Sequence, residues 1–120
     1  MTTQTAPQVK NEAALDVAPV SGSGTYTWTI NLYEYQGKCY IAWKTTAPFR
    51  AQQGKVALYS GPPPSDPTRY VTFQWDDQPS PYNTGQPWGA GWSAAWIGQQ
   101  GTSAGYAYTY VCTTPVTTGN

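Results

Sequence analysis

The sequence predicts an all-β protein, an antiparallel β-sandwich of about six or seven strands preceded by a polar N-terminal arm. Three observations support this prediction. Apolar and polar residues alternate in short segments, which is the period of a half-buried strand. Glycine and proline, 12 and 11 of the 120 residues, separate these segments with turns. No segment shows the spacing of apolar residues that is typical of an amphipathic helix.

The predicted arm covers residues 1–24, which are polar and rich in small side chains. Pro7 and Pro19 leave little room for a helix between them, and chain ends of this composition usually fray. The remaining residues, 25–120, are predicted to form the sandwich domain. A chain of this size can bury about two-thirds of its unfolded surface, enough for one core.

The first two strands of the domain are predicted to form a hairpin. From Thr25 onward, apolar side chains alternate with threonines, which indicates one buried and one solvated face. The pair Gln36-Gly37 predicts a short turn. A second alternating strand then begins near Cys39 and includes Trp43.

Four more strands are predicted before the C-terminus, at residues 55–60, 69–75, 91–97 and 106–113. The prolines of residues 61–67 cannot pair inside a sheet and predict an exposed, stiff connection. Residues 76–87 are rich in proline, glycine and polar side chains and are predicted to form a loop. In the last strand, Tyr106, Tyr108, Tyr110 and Cys112 are expected on one face because their spacing is two.

Composition excludes several classes of partner. The formal net charge is zero and only 10% of residues are charged, which argues against a nucleic-acid partner and against polybasic attachment to anionic lipid. No apolar run approaches the roughly 20 residues of a membrane span, and the N-terminus lacks the features of a secretory signal. The pattern leaves the compartment open.

The composition offers few side chains that could act in catalysis. The chain contains no histidine, which removes the commonest general base, the usual catalytic triads and the usual zinc sites. Asp76 and Asp77 are adjacent, so on a strand they would point to opposite faces, unlike the facing carboxylates of glycosidases. Their spacing to Asn83 matches no EF-hand loop. We therefore predict that the protein is not an enzyme and uses no cofactor or metal.

The segment 75–97 holds four of the six tryptophans and is the predicted binding region. Hydrogen-bonding side chains coincide there with flat aromatic faces, the usual content of a ligand site. The predicted ligand-binding residues are Asp76, Asp77, Tyr82, Asn83, Trp88 and Trp92. A sugar presents hydroxyls at its edge and C–H groups on its face, so we expect a glycan or glycoconjugate as the partner of a non-catalytic, lectin-like module.

Exposure of the aromatic residues separates this region from the core. Trp28, Trp43 and Trp75 lie among alternating strand residues and are expected to be buried. Trp88, together with at least one of Tyr82 and Trp92, is flanked by proline, glycine and amide residues and is expected to be partly exposed.

Two other uses of the same rings stay open. Tryptophan and tyrosine are enriched where proteins meet the membrane–water interface. The segments Pro81-Tyr82-Asn83 and Pro87–Trp92 resemble, in composition, the lipid-facing loops of β-sandwich pore-forming toxins, which implies a cytolysin-like protein. The rings could also form a subunit interface, where such residues are frequent hot spots. That use predicts a self-assembling homo-oligomer.

The two cysteines, Cys39 and Cys112, are separated by most of the domain, and Tyr110 precedes the second by two residues. This spacing resembles the immunoglobulin pattern, in which a disulfide joins the two sheets and a tyrosine makes a corner bond. The resemblance implies an immunoglobulin-like or related sandwich with a Cys39–Cys112 disulfide. Such a bond would favour a secreted or extracellular location.

Overall fold

A computed structural model of the chain describes residues 8–17, 26–48 and 50–119. The strands, in chain order, are β1 (Gln8–Val17), β2 (Tyr26–Tyr35), β3 (Lys38–Thr45), β4 (Lys55–Ser60), β5 (Thr72–Trp75), β6 (Tyr82–Pro87), β7 (Trp92–Thr102) and β8 (Gly105–Thr113). Across these residues there is no helix, and thus none long and apolar enough to cross a membrane. The predicted all-β class is confirmed.

The strands form two antiparallel sheets that pack as a sandwich. Strands β2, β3 and β6 make the first sheet, and β1 extends it along the outer edge of β2. The second sheet has the order β5-β4-β7-β8. Strand β1 lies within the predicted arm, and the predicted boundary at residues 24 and 25 is outside the described residues.

The β2–β3 hairpin forms where the sequence predicts it. Its turn residues Gln36 and Gly37 have φ angles of 51° and 80°, the left-handed values that a two-residue type I′ hairpin turn requires. Tyr35 therefore pairs with Lys38, and the register continues to Trp28 opposite Thr45. This register directs alternate apolar residues of both strands toward the second sheet.

The core lies between the two sheets and contains two of the three tryptophans predicted for it. Trp28 and Trp43 are buried, and Trp28 meets Trp96 of the opposite sheet edge to face, with ring centroids 4.9 Å apart. The other buried members are Ile30, Leu32, Cys39, Ile41, Val56, Leu58, Ala94, Trp96 and Cys112. Aromatic rings fill this core at the end of the sandwich where β3 finishes.

The prediction that Trp75 is core is wrong, because its side chain is 39% exposed. In β4, Val56 and Leu58 point into the core, so Lys55, Ala57 and Tyr59 point outward. Trp75 pairs directly with Lys55 and therefore shares this outer face. Period two alone does not tell which face of a strand will be covered.

The outer face of the second sheet carries a second buried cluster, formed by Ala57, Tyr59, Ala95 and Ile97. The proline-rich connection covers part of it. The Tyr59 hydroxyl donates to the carbonyl of Pro67 at 2.6 Å, and the Tyr110 hydroxyl donates to the carbonyl of Pro64. These two carbonyl contacts hold the connection against the sheet.

A β-bulge in β8 overturns the expectation that its tyrosines share a face with Cys112. Trp96 pairs with Cys112, but the next residue, Ile97, pairs with Tyr110, so one residue of β8 is left over. The extra residue reverses the alternation. Cys112 joins the core between the sheets, while Tyr110 packs on the outer cluster.

Strand β6 lies inside the segment that was predicted to be a loop. It pairs with β3 on one side only, as the edge of the first sheet. Gly85, with φ 77°, and Pro87 disfavour a central strand but are tolerated at an edge. The composition of this segment therefore concealed a strand.

The predicted disulfide is also wrong: Cys39 and Cys112 are both buried free thiols. They lie in different sheets, as the immunoglobulin pattern requires, but at different heights. The Cys39 thiol contacts the carbonyl of Pro87, which also accepts from Trp92, whereas Cys112 pairs with Trp96. Trp92 and Trp96 are separated by about 13 Å along β7, so the neighbours of the two thiols lie at different positions along the sandwich. Without the disulfide, the structure offers no argument for an oxidising compartment.

We expect titration of the denatured, unreduced protein to find two thiols per chain, and the native protein to react slowly. Burial raises the pKa of Cys39 to about 11 and that of Cys112 to about 12, which disfavours the reactive thiolate. Because the folded-state pKa values are raised, the thiols favour folding below pH 9 and this contribution is lost as the pH rises through 11 and 12.

A Cys39→Ala, Cys112→Ala double variant is the control for the pH dependence. Its free energy of unfolding should fall less steeply above pH 9 than that of the wild-type protein. Fewer than two thiols per chain in the denatured protein would contradict this expectation and support a Cys39–Cys112 disulfide.

Candidate binding cleft

A cleft of about 350 Å³ opens at the end of the sandwich where β3 finishes. It lies between the two sheets and is closed on one side by the connection from β3 to β4. Its lining residues are Trp28, Trp43, Lys44, Thr45, Ala47, Pro48, Arg50, Asp76 and Trp96. The volume is at the lower end of the range of about 300–1,000 Å³ for small-molecule sites.

Asp76 is the polar centre of the cleft. Its side chain is only 4% exposed, yet each carboxylate oxygen has a donor. Oδ1 accepts from Nη2 of Arg50 at 2.8 Å, and Oδ2 accepts from the indole Nε1 of Trp96 at 3.1 Å. The main-chain carbonyl of Asp76 accepts from the indole of Trp43 at 3.3 Å. One residue thereby ties both sheets and the β3–β4 connection together.

Gly54 allows this carboxylate to sit where it does. The amide of Asp76 donates to the carbonyl of Gly54 at 3.0 Å, which fixes the backbone as it leaves β5. A Cβ atom on Gly54 would lie 1.9 Å from Oδ2 of Asp76. Gly54 is therefore required for space, since its φ is not in the left-handed region.

The charges around the cleft balance. Arg50 is 61% exposed on its side chain and also approaches Asp77 Oδ2 at 3.7 Å. Lys44 also lines the cleft and is exposed. Two cations and two carboxylates give no net local charge, so the cleft is suited to a neutral ligand that makes many hydrogen bonds.

Hydrogen-bonding capacity remains after the internal contacts are made. Each oxygen of Asp76 has a second lone pair, and the guanidinium of Arg50 has five N–H donors, of which Asp76 uses one. Lys44 adds a flexible ammonium at the rim. The indoles of Trp43 and Trp96 provide apolar wall beside these groups.

Only part of the predicted site belongs to this cleft. Asp76 lines it and Asp77 stands beside it through Arg50. Tyr82 donates to or accepts from Thr72 at 2.6 Å, and Asn83 accepts from the Gly85 amide at 2.9 Å within its own turn. Both are engaged in shaping the fold around β6.

Trp88 and Trp92 lie at the other end of β6, both half-buried as expected. The indole of Trp92 donates to the carbonyl of Pro87 at 3.0 Å, and Pro87 pairs with Lys38 at the start of β3. Asp76 instead contacts Trp43, five residues along β3 and about 17 Å away. The six predicted residues therefore do not form one site.

Sequence reasoning missed most of the cleft, namely Trp43, Lys44, Arg50 and Trp96. The pairing of Arg50 with Asp76 joins positions 26 residues apart, which no local pattern reveals. The available signal was a cation, Arg50, in a short connection that follows a strand containing tryptophan.

No group of three Cys, Asp or Glu side chains capable of holding a metal ion occurs among the described residues. Comparison with family models, curated protein sequences and solved structures returned no match. The fold is an antiparallel β-sandwich with an open cleft at one end.

Proposed function

We propose that the protein is a non-catalytic, lectin-like module that binds a neutral glycan in the cleft around Asp76. The observation that supports this most directly is the combination of a buried carboxylate, an exposed guanidinium and indole walls in one open cavity. A sugar edge needs both donors and acceptors, which Arg50 and Asp76 supply. Its C–H face needs apolar surface, which the indole of Trp43 supplies.

Modest affinity is expected for a single small sugar. A shallow site with few contacts must still offset the ordering and desolvation of its polar groups. Binding by several copies together would raise the avidity, and homo-oligomer formation stays a prediction. Because neither the cleft charges nor the overall charge attract anions, neutral sugars are the expected class.

The proposal is tested by titrating the protein with a panel of neutral glycans while following tryptophan fluorescence. Lys44→Ala is expected to weaken binding about tenfold or more, since a hydrogen bond to a charged group contributes about 1.5–3 kcal/mol and about 1.4 kcal/mol is a factor of ten. Lys38→Ala is the matched control because Lys38 is an exposed lysine at the opposite end of β3. EDTA should have no effect.

Arg50→Ala should weaken glycan binding more than Lys44→Ala does. Arg69 is an exposed arginine near Asp66, and Arg69→Ala is the control that should leave glycan binding unchanged. Equal losses in Lys38→Ala and Lys44→Ala would contradict the cleft as the site. Absence of a saturable response to every glycan would reject the lectin-like function.

A further inference from the structure

The outer face of the second sheet presents an aromatic surface that is separate from the cleft. Four rings surround Lys55, those of Tyr70, Phe73, Trp75 and Tyr108. The exposed side chains of Val71, before β5, and Tyr106, on the β7–β8 hairpin, extend this surface. We call these six residues and Lys55 the outer aromatic face. Strand alternation places Phe73 with Trp75, and Tyr106 with Tyr108, on this side of the sheet. Val71 directly precedes β5, where its amide donates to the carbonyl of Leu58 at 2.7 Å and its side chain is exposed at the sheet edge.

This face collects most of the exposed apolar surface. Among the described residues, four large apolar side chains are more than about a third exposed, and three are here: Val71 at 47%, Trp75 at 39% and Tyr106 at 67%. The fourth, Val116 at 37%, follows β8 at the Trp92 end of the sandwich. Clustering of this kind marks an interaction surface more often than scattered exposure does.

Lys55 supplies a positive charge at the centre of this face. Its Nζ lies 4.6 Å from the ring centroids of Phe73 and Tyr108 and 4.9 Å from that of Trp75. It also donates to the hydroxyl of Tyr70 at 3.2 Å. The described ion pairs join other residues, so no described carboxylate neutralises Lys55.

The ammonium is held in its charged form. Burial lowers the pKa of Lys55, but hydrogen bonds to Tyr70 and Tyr108 outweigh this effect and the pKa is raised. The lysine therefore remains a cation at neutral pH, with four rings around its Nζ.

The β7–β8 hairpin extends this face beyond the rest of the sheet. Strand β4 stops pairing with β7 at Ile97, whereas β7 and β8 continue together to Thr102 and Gly105. Tyr106 is carried on this two-stranded extension. A partner with a broad, flat surface could contact Tyr106, Val71 and Trp75 at the same time.

We propose that the outer aromatic face binds the surface of a phospholipid bilayer. Tyrosine and tryptophan rings, apolar with a polar tip, are favoured at the depth of lipid headgroups. Lys55, unpaired with any described carboxylate, complements the phosphate groups at that depth. This surface role is independent of the glycan cleft, which lies on the inner side of the same sheet.

A second copy of the chain is a poorer occupant. A symmetric dimer through this face would apply the same patch on both subunits. The two Lys55 ammonium groups would then be brought toward each other across an apolar contact, where like charges repel strongly. A lipid surface supplies the opposite charge instead.

Co-sedimentation with phosphatidylcholine vesicles, and with vesicles that also contain phosphatidylglycerol, tests the proposal. The wild-type protein should bind both, and more strongly the second. Val71→Ser and Tyr106→Ser should each reduce the partition coefficient about threefold or more, because exposed apolar area is lost from the contact. Val116→Ser, which removes the same side chain from a different surface, should bind like the wild type.

Other outcomes distinguish the alternatives. Lys44→Ala changes the cleft and not the outer aromatic face, so this variant should bind vesicles like the wild-type protein. The two proposals can therefore fail independently. Absence of vesicle binding by the wild-type protein would overturn the proposal, as would equal effects of Val71→Ser and Val116→Ser. A dimer in solution that Val71→Ser dissociates would assign the face to self-association, and displacement by free phosphocholine would assign it to a small ligand.

Discussion

Gly54→Ala is expected to lower the free energy of unfolding by about 3 kcal/mol or more, the upper range for overpacking a filled site. The added methyl group would lie 1.9 Å from Oδ2 and 2.6 Å from Cγ of Asp76. The carboxylate has no free direction in which to move, since Arg50 and the Trp96 indole hold its two oxygens. Chemical denaturation of the two proteins measures the difference.

A double-mutant cycle separates this contact from general damage to the fold. Asp76→Ala alone should cost about 1–3 kcal/mol, because it leaves the buried Trp96 indole N–H without its acceptor. In the double variant the clash is removed. Its loss of unfolding free energy should therefore be clearly smaller than the sum of the two single-variant losses. Gly89→Ala is the control, since a Cβ there meets nothing within 4 Å. Full additivity would show that Gly54 and Asp76 do not interact.

Trp96→Ala should reduce the free energy of unfolding by about 3–5 kcal/mol, the usual cost of removing a large buried aromatic side chain. Trp96 packs on Trp28 in the core and donates to Oδ2 of Asp76, so its loss would leave a cavity and remove the donor of that buried oxygen. Trp75→Ala should cost only about 1 kcal/mol, mainly part of the cation–π contact with Lys55.

The two tryptophans lie in the same sheet but on opposite faces, which makes them a matched pair. Trp96→Phe serves where the alanine variant does not fold, and it should still destabilise the protein because the indole N–H is lost. Equal losses at Trp75 and Trp96 would mean that the outer aromatic face is as well covered as the core.

Local patterns account for the elements that the sequence predicted correctly. The β2–β3 hairpin follows from alternation on both sides of Gln36 and Gly37, because only certain residues accept the left-handed φ that its turn needs. The same reasoning predicted β4 with its exact bounds. These features depend on neighbours in the chain.

Long-range packing decided the rest. Trp75 and Trp96 both follow strand alternation, yet one is exposed and the other buried, because only the inner face of their sheet meets the other sheet. The bulge at Val111 reversed the faces of β8, so parity counted from Tyr106 misplaced Cys112. An offset along the strands then kept Cys112 from Cys39.

The sequence by itself determined the all-β class, the antiparallel pairing of the first hairpin and the absence of histidine chemistry, since these depend on residue type and local spacing. Only the tertiary structure decided which polar side chains meet in the cleft. Arg50 and Asp76 belong to connections far apart in the chain, and they come together because β4 and β5 pair antiparallel, with Lys55 opposite Trp75. The predicted loop was divided for the same reason: β6 joins the first sheet and carries Trp88 to its opposite end.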